Sequence, residues 1–362
     1  MKLKYALIGC GRIAPNHIAA AVNNAGDMDL AAVCDLIPQK ADDLLSGFEN
    51  IPQGIVTYTD HQKMLREVRP DFVAVATESG YHAEIALDAI SAGCHVIVEK
   101  PIALSLHDAR RMIDAAREKG VVLCACHQNR FNQSVAKIRS AVEEGRFGKL
   151  FHGAAHIRWN RGQSYYTQPW RGTWAEDGGA LMNQCIHNID LLRWMMGDEI
   201  LEVSAFTDRL NHDYIEAEDL GLAIIKFKNG AYGLIEGTTN IYPANLEETL
   251  YVFGSRGTAK AGGKSVNVIE EWKFADALDD PARVKAEFGD DPPNVYGFGH
   301  TPLYADVIDA VKTGRAPKID GEAGYRALEL VLAIYKAAAT GESVKFPITG
   351  NISTLDFKGR FQ

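Results

Sequence analysis

Short apolar runs alternate with stretches of helical periodicity over the first 126 residues. The apolar runs predict strands at 5–9, 30–34, 55–58, 72–77, 95–99 and 121–126, and helix-length stretches lie at 60–69, 81–93 and 105–119. Ser105, three residues before Asp108, is a good N-cap for the last of these helices. Apolar strands separated by helices are typical of a parallel sheet that is covered on both faces. We therefore predict an α/β, doubly wound domain over residues 1–126.

After residue 150 the pattern changes to an alternation of apolar and polar positions. Alternating segments lie at 151–158, 201–208, 220–227, 231–239 and 248–253, and helical periodicity returns at 178–196, 302–313 and 322–340. Asn229-Gly230 stands between two alternating runs, which is a strong hairpin signal. We therefore predict that residues 127–362 form a second α/β domain with an open, mostly antiparallel sheet that carries helices on one face. Its last helices can pack back on the first domain.

Composition and charge narrow the range of functions. Hydrophobic residues make up 46% and charged residues 23% of the chain, which excludes a disordered protein or a small disulfide scaffold. A net charge of -9 without a basic block argues against nucleic-acid binding, and no apolar run reaches the roughly 18 residues of a membrane helix. The six cysteines include no C-x-x-C pair, which predicts reduced thiols in a cytoplasmic protein without a structural metal.

A glycine-rich turn follows the first predicted strand and precedes a helix. Gly9, Gly11 and Ala14 give the pattern G-x-G-x-x-A, in which the glycines let the backbone approach a pyrophosphate at a helix N-terminus. Alone, the pattern is also compatible with an ordinary tight turn. Asp35 ends the next strand, where a carboxylate binds a ribose 2′-hydroxyl and repels a 2′-phosphate. The combination predicts NAD, rather than NADP, as the cofactor.

Lys100 lies in the sequence Glu99-Lys100-Pro101 at the end of the fifth predicted strand. Ligands of doubly wound sheets bind beyond the carboxyl ends of the strands. Lys100 is therefore a candidate for polarising a substrate oxygen, whereas elsewhere a lysine at a strand end is usually a solvated cap.

The helical segment at 178–196 carries a candidate proton acceptor. Asn183 and His187 are four residues apart and share a helix face, and Asp190 lies three residues further on, where it can orient the imidazole. Histidine is the natural proton acceptor near neutral pH, although a single helical histidine is also common as a structural residue. No second histidine or cysteine stands at ligand spacing, which argues against a metal.

Residues 158–174 form a basic, aromatic segment that contains no acidic residue. The segment contains Arg158, Arg161, Arg171, Trp159, Trp170, Trp174, Tyr165 and Tyr166. Guanidinium groups suit phosphates and carboxylates, and aromatic faces suit a base or a sugar ring. We therefore predict a site for an anionic ligand, part of which can serve the cofactor. The alternative is a loop that only packs against the sheet.

Together these features resemble the Gfo/Idh/MocA family of NAD(P)-dependent sugar oxidoreductases. The resemblance covers essentially the whole chain and includes the glycine turn, the segments 77–82 and 92–96, Glu99-Lys100-Pro101, and the helix that carries His187 and Asp190. It implies a Rossmann domain with a doubly wound parallel sheet and a C-terminal α/β domain whose sheet often mediates dimers or tetramers. The implied activity is oxidation of a secondary hydroxyl of a sugar or polyol with NAD.

The resemblance also implies site residues. It places Lys100 and His187 at the catalytic positions. Either of these two residues can be the general base. The candidate cofactor contacts are Gly9, Cys10, Gly11, Arg12, Ile13, Asp35, Thr77, Ser79, His82, Glu99, Gln128, Trp170 and Arg171, and the candidate substrate contacts are Lys100, Arg158, Tyr165, Tyr166, Thr173, Asn183, His187 and Tyr296. Tyr296, together with His300 and Tyr304, is chosen on proximity in sequence alone. Many members have aspartate at the position of Asn183; asparagine cannot act as a base, so proton acceptance passes to His187.

The substrate is the most open part of the prediction. Asn183-Gln184 and the arginine–aromatic segment look like those of the family's dehydrogenases of UDP-N-acetyl-2-amino-2-deoxyglucuronate, which oxidise C3 of the sugar. The alternative is an inositol or free-sugar dehydrogenase. Two further alternatives are an NAD-dependent glycosidase that forms no net NADH and a non-catalytic cofactor-sensing protein, against which the coexistence of Lys100 and His187 argues. The expected partners are a small-molecule sugar and further copies of the chain in a homodimer or homotetramer.

Overall fold

The computed structural model describes residues 2–292 and 295–361. These residues divide into two compact units. The first unit contains the chain up to His127 together with His300–Tyr325, and the second contains Gln128–Gly299 and the chain from Arg326 onward.

Helices and strands alternate along the described residues. The strands are β1 (Leu3–Ile8), β2 (Met28–Cys34), β3 (Val56–Tyr58), β4 (Phe72–Val75), β5 (His95–Val98), β6 (Leu123–Ala125), β7 (Leu150–Arg158), β8 (Ile200–Asp208), β9 (Leu220–Phe227), β10 (Tyr232–Thr238), β11 (Glu247–Gly254), β12 (Gly257–Gly262), β13 (Val268–Phe274) and β14 (Val344–Lys345). The helices are α1 (Ala14–Asn23), α2 (Pro38–Ser46), α3 (His61–Val68), α4 (His82–Ser91), α5 (Leu106–Lys119), α6 (Gln133–Glu143), α7 (Ala180–Asn183), α8 (Ile186–Met196), α9 (Pro281–Glu287), α10 (His300–Thr313) and α11 (Gly321–Thr340).

The first unit contains a parallel sheet in the order β3-β2-β1-β4-β5-β6. This is the Rossmann strand order, in which ligands bind at the carboxyl edge where the order reverses, between β1 and β4. The α/β, doubly wound fold is therefore confirmed. The Oγ atom of Ser105 accepts the N–H of Asp108 at 3.0 Å, which confirms the predicted start of α5, and α5 ends at Gly120 with φ +67°.

The second unit contains a mixed sheet in the order β13-β12-β11-β7-β10-β9-β8-β14, in which β7 and β10 are parallel and the other neighbours antiparallel. This confirms the mostly antiparallel sheet, and β9 and β10 form the hairpin predicted at Asn229-Gly230. Glycines let the helical segment approach one face closely. A Cβ on Gly221 would lie 2.4 Å from Cδ1 of Leu181, and one on Gly237 would lie 2.7 Å from Sγ of Cys185.

The opposite face of this sheet exposes apolar side chains. Phe206, Leu222, Ile224 and Leu234 lie on β8, β9 and β10, and each is exposed. Register pairs Ile224 with Leu234 and Phe206 with Leu222, so the four side chains form a continuous strip. Exposed apolar strips of this kind mark surfaces that contact another molecule.

Candidate functional site

The glycine-rich turn lies between β1 and α1, at the carboxyl edge of the parallel sheet. Gly9 has φ +96°, and a Cβ there would lie 2.4 Å from the carbonyl oxygen of Ala76, so only glycine fits. Beside Gly11, by contrast, no described atom beyond its chain neighbours lies within 4 Å of a Cβ position. The backbone at Gly9 thus packs tightly against Ala76, whereas the space beside Gly11 is open. This arrangement fits the close approach of a pyrophosphate to the turn.

Asp35 follows β2 and is held beside this turn. Its Oδ2 accepts the N–H of Cys10 at 2.9 Å, and its Oδ1 accepts the N–H of Ile37 at 2.9 Å. A carboxylate fixed here fits the ribose hydroxyls of NAD. Burial, with the charge of Asp35 nearby, raises the pKa of Cys10 to about 12, so the Cys10 thiol stays protonated.

His82 connects the chain after β4 with the chain after β5. Its Nδ1 lies 2.7 Å from the carbonyl oxygen of Pro101, and its Nε2 lies 3.1 Å from that of Thr77. Burial lowers the pKa of His82, so the ring is neutral near pH 7. A neutral imidazole has one N–H group, so His82 donates to one of these two carbonyls. Because both ring nitrogens are turned to the backbone, we assign His82 to holding this part of the chain in place, and not to the predicted contact with the cofactor.

Glu99 belongs to a buried hydrogen-bond network. Its Oε1 lies 3.1 Å from Nε2 of His17 and 3.6 Å from Nε2 of His300. Nδ1 of His17 lies 2.7 Å from the hydroxyl of Tyr304, which lies 2.9 Å from the hydroxyl of Tyr5. Burial by itself would raise the pKa of Glu99, but the hydrogen bond with His17 and the nearby imidazole of His300 outweigh burial and hold this pKa well below its usual range. Glu99 is therefore ionised.

This network bears on two predictions. His300 is 4% exposed and Tyr304 is 0% exposed, and that they line the substrate pocket stays a prediction. His17, Glu99 and His300 each offer a possible metal ligand within 4.8 Å of the others. Both ring nitrogens of His17 are already engaged with Glu99 and Tyr304, so we assign the group to hydrogen bonding.

Lys100 is half-buried and directly follows Glu99. Its backbone N–H donates to Oε2 of Glu99 at 3.2 Å, and its peptide bond to Pro101 is cis. The buried network therefore holds the backbone from which the Lys100 side chain extends.

The helix predicted around His187 is two helices. The N–H groups of Gln184 and Cys185 both donate to the carbonyl oxygen of Ala180 at 3.0 Å, so the turn between α7 and α8 is wider than an α-helical turn. Asn183 and His187 are half-buried, whereas their immediate neighbours are buried. The two predicted site residues thus offer partly exposed polar groups on either side of this turn.

Asp190 lies on α8 and forms a buried ion pair. Its two oxygens accept from Nε and Nη2 of Arg130 at 2.7 and 2.6 Å. This bidentate pair fixes α8 against the turn that precedes α6. That Asp190 also orients His187 stays a prediction.

Glu218 holds the start of α7, and we did not predict it. Its Oε1 accepts the N–H of Leu181 at 2.8 Å and the hydroxyl of Tyr335 at 2.9 Å, and its backbone carbonyl accepts the N–H of Ala180 at 3.0 Å. Burial raises the pKa of Glu218 to about 8, against a smaller lowering by these two donors. The carboxyl is therefore mostly protonated at neutral pH. A Cβ on Gly179 would lie 1.7 Å from Oε2 of Glu218, which explains the glycine there.

Asp177 is a second residue that we did not predict. It is 1% exposed, its Oδ1 accepts Nδ2 of Asn183, and its Oδ2 accepts the N–H of Gly172 at 2.7 Å. Asp177 thus joins the end of the arginine–aromatic segment to α7. The only sequence signal was its place before the paired glycines.

Two guanidinium groups surround Tyr165 in the arginine–aromatic segment. Arg171 lies 4.1 Å and Arg161 lies 5.3 Å from the centroid of this ring, and Arg171 lies 4.2 Å from the ring of Trp170. The hydroxyl oxygen of Tyr165 accepts from Nη1 of Arg171 and, at 3.1 Å, from Nε2 of Gln184. Arg171 forms no ion pair with the residues that the structure describes.

Arg158 and Thr173 have structural partners instead. Arg158 pairs with Glu236 at 2.5 Å and with Glu247, so neighbouring strands neutralise it. Oγ1 of Thr173 donates to the carbonyl oxygen of Trp170 at 2.7 Å and so closes a turn. We do not carry either residue forward as a substrate contact.

The remaining candidates are placed as follows. The ring of Tyr166 lies 5.2 Å from that of His212, and its hydroxyl donates to Thr239 at 3.3 Å. Gln128 is buried, and Tyr296 is half-buried. Their predicted contacts with cofactor or substrate stay predictions.

Family profiles match both units. The profile of the oxidoreductase family with an NAD-binding Rossmann fold matches residues 3–127, and that of the GFO/IDH/MocA C-terminal domain matches residues 135–260. The chain belongs to the GFO/IDH/MocA family. This confirms the family that we predicted.

Several known proteins align with nearly the whole of this chain. The solved WlbA dehydrogenase of Bordetella pertussis, in complex with NADH and UDP-GlcNAcA, is 37% identical with a TM-score of 0.89, covering 96% of this chain and 99% of that one. The myo-inositol 2-dehydrogenase of Thermotoga maritima is 28% identical over 357 residues, 95% of this chain and 98% of the relative. The D-glucoside 3-dehydrogenase of Escherichia coli is 28% identical over 362 residues, covering 95% and 97%.

These findings give the chemistry of this GFO/IDH/MocA protein in outline. It is an NAD-dependent oxidoreductase that acts on a CH–OH group of a sugar or polyol. The cofactor prediction is confirmed, and the geometry around Gly9 and Asp35 fits it. Among the described residues, no helix has the length and apolar character needed to cross a membrane.

Proposed function

We propose that the protein is a nucleotide-sugar dehydrogenase that oxidises C3 of UDP-N-acetyl-2-amino-2-deoxyglucuronate. The observation that carries the proposal is the cluster of Arg161, Tyr165, Trp170 and Arg171, whose cations face aromatic rings. A UDP-linked uronate offers a pyrophosphate, a carboxylate and a uracil ring, which guanidinium and aromatic groups bind. The likeness to a WlbA dehydrogenase solved with UDP-GlcNAcA supports the same substrate.

We propose that the cofactor contacts are those predicted, without His82, and that Trp170 and Arg171, also predicted to contact the cofactor, bind the UDP sugar instead. The proposed cofactor contacts are Gly9, Cys10, Gly11, Arg12, Ile13, Asp35, Thr77, Ser79, Glu99 and Gln128. When bound, NAD supplies the acceptor for the hydride. Gly9 and Gly11 admit the pyrophosphate, and Asp35 accepts hydrogen bonds from a ribose.

In the proposed mechanism His187 accepts the proton of the reacting hydroxyl. Lys100, as a cation, stabilises the negative charge that develops on the same oxygen, a role whose loss typically costs about 3 kcal/mol in the transition state. The half-buried positions of Lys100 and His187 support contact of both with a ligand. The alternative assignment, with Lys100 as the base, requires a lowered lysine pKa.

The test follows NADH absorbance with NAD and UDP-N-acetylglucosaminuronate, myo-inositol or glucose, and is repeated with 2-oxoglutarate while mass spectrometry follows the products. We expect turnover of the UDP sugar and a loss of about 100-fold or more in kcat for His187→Ala, with the ascending limb of the pH profile removed. Near-normal activity with an unchanged limb would pass the base role to Lys100.

The two arginines test the ligand site. Arg171→Ala is expected to raise KM for the UDP sugar about tenfold or more, because a charge-assisted hydrogen bond to an anion is lost. Arg158→Ala removes a guanidinium that is already paired with Glu236 and Glu247, and we expect KM to change less than about threefold. Equal effects of the two variants would contradict the assigned site.

A free polyol or glycoside is the second candidate substrate, which the inositol and glucoside dehydrogenases among the relatives favour. Turnover of myo-inositol or glucose without turnover of the UDP sugar would replace our proposal. Release of a chromogenic aglycone without net NADH would instead indicate the glycosidase.

We also propose that the apolar strip of Phe206, Leu222, Ile224 and Leu234 joins copies of the chain in a homodimer or homotetramer. Phe206 is 81% exposed and Ile224 is 57% exposed. Light scattering of wild type and of Ile224→Lys checks this, with a monomer expected for the variant. A cytoplasmic location stays our proposal, which is supported by six buried cysteines that form no disulfide among the described residues.

A further inference from the structure

The hydrogen bond to Asp177 orients the amide of Asn183. Its Nδ2 donates to Oδ1 of Asp177, while the other oxygen of this buried carboxylate accepts the N–H of Gly172 at 2.7 Å. An ionised carboxylate only accepts hydrogen bonds, so it must face the amide nitrogen. Oδ1, the acceptor atom of the Asn183 amide, is therefore directed away from Asp177.

The hydroxyl of Tyr165 has the opposite polarity. Its oxygen accepts from Nε2 of Gln184 at 3.1 Å and from Nη1 of Arg171. A phenol oxygen has two lone pairs and one hydrogen. Both lone pairs are used, so the O–H group remains as a donor, and no acceptor for it lies among the described residues.

The amide of Asn183 and the hydroxyl of Tyr165 lie in one small region. Gln184, which donates to Tyr165, directly follows Asn183 in the chain. Asp177, the residue that holds Asn183, accepts the N–H of Gly172, and the preceding residue, Arg171, donates to the hydroxyl of Tyr165. In agreement with this, the charge of Asp177 adds to the larger effect of burial in raising the pKa of Tyr165. Asn183 and Tyr165 are both half-buried, so each has surface to offer a ligand.

We propose that Asn183 and Tyr165 together bind a secondary amide of the substrate. The amide N–H donates to Oδ1 of Asn183, and the amide carbonyl accepts from the hydroxyl of Tyr165. Asp177 is a positioning residue, because it sets the orientation of Asn183. The inference rests on the proposed function and deepens it, since the acetamido group at C2 of the proposed sugar adjoins the C3 hydroxyl. A hydroxyl at C2 presents one oxygen where the amide presents two separated polar atoms, so it fits the pair less well.

The test uses UDP-N-acetylglucosaminuronate and UDP-glucuronate, which differ at C2 by an acetamido group against a hydroxyl. We measure kcat/KM on both for wild type, Tyr165→Phe and Asp177→Asn. Wild type should prefer the amide sugar, and each variant should lower this preference about tenfold, mainly through KM. Tyr214→Phe is the matched control: Tyr214 lies in the neighbouring aromatic cluster, and its hydroxyl makes no hydrogen bond to the described residues.

A charge swap tests the positioning role of Asp177. Asn183→Asp alone sets two carboxylates against each other and should abolish the preference for the amide sugar. Adding Asp177→Asn restores one carboxylate and one amide with an acceptor still at position 183, and the preference should return. Thermal melting of each variant identifies any that fail to fold, and the swapped protein remains informative if a single variant does not.

The outcomes separate this inference from the proposed function. If the wild type oxidises both sugars and every variant lowers kcat/KM on both by the same factor, binding of the amide by Asn183 and Tyr165 is overturned. The proposed function then still stands. If the wild type oxidises neither sugar, the proposed function fails, and calorimetric titration of both sugars decides the inference. Amide-selective binding that Tyr165→Phe removes supports it; equal binding, or none, overturns it.

Discussion

Glu99 and Glu218 are both buried glutamates, one in each unit, and their charges differ. Glu99 lies between His17 and His300, which hold its pKa well below the usual range against the effect of burial. Glu218 meets the neutral donors of Leu181 and Tyr335, and burial raises its pKa to about 8.

The difference shows that the donors around a buried carboxyl decide its charge. An imidazole can share a proton and form an ion pair, whereas a peptide N–H and a phenol offer only dipoles, which do not offset the desolvation of a carboxylate. Each glutamate supports a candidate site residue: Glu99 binds the backbone of Lys100, and Glu218 binds the start of the helix that ends at Asn183.

The largest expected effect is that of Glu218→Gln on the pH dependence of the free energy of unfolding. A raised pKa, about 8 against the usual 4.5, gives stability that is fully present below pH 4.5 and is lost as the pH rises to about 8. Glutamine does not titrate. Between pH 5 and 8 the free energy of unfolding of wild type should therefore fall by about 4 kcal/mol relative to the variant. Urea unfolding at each pH measures this; parallel curves would show that Glu218 is ionised.

His17→Phe probes the ionised glutamate. It removes a partner of a buried charge and should lower the free energy of unfolding by about 3 kcal/mol at pH 7. Because Glu99 has a depressed pKa, its stabilisation is present above the usual pKa and is lost as the pH falls through the lower, folded-state value. The deficit of the variant should therefore shrink in acid.

His61→Phe is the matched control for His17→Phe. His61 pairs with Asp88 at 2.9 Å, but both side chains are partly exposed. The loss should stay below about 1 kcal/mol. Similar losses at the two histidines would mean that burial does not strengthen the pair with Glu99.

Tyr335→Phe should lower the free energy of unfolding by only about 1 kcal/mol, because Glu218 keeps the N–H of Leu181. The Tyr335 hydroxyl lowers the pKa of Glu218, so its removal should raise that pKa further. The fall in stability should begin at the same pH as in wild type and continue to a higher pH. An unchanged pH dependence, measured by urea unfolding, would count against this hydrogen bond.

Local patterns were sufficient to predict most of the parallel sheet, because buried strands are nearly continuous apolar runs. The same reasoning missed β12, whose sequence from Gly257 to Gly262 is rich in small residues of low strand propensity. It also missed α6, although Val135, Ile138 and Ala141 lie on its buried face at helical spacing.

The candidate site was predictable where its residues are close in sequence. The glycine turn, Lys100 and the Asn183–His187 pair follow from motifs of this kind. Glu218 contacts Leu181 across 37 residues of sequence, and Glu99 meets His17 across 82, so only the folded chain brings them together. The ion pairs of Arg158 likewise depend on strand neighbours that the segment itself does not contain.

The six native cysteines are all buried, and burial raises the pKa of Cys10 and Cys34 to about 12 and that of Cys94 to about 11. Thiol reagents attack thiolates, so maleimides and iodoacetamides should leave these six side chains unmodified in the folded protein. Leu278 is 73% exposed. A Leu278→Cys variant would therefore accept a single fluorophore without removal of any native cysteine, and would give an optical probe for following ligand binding in real time.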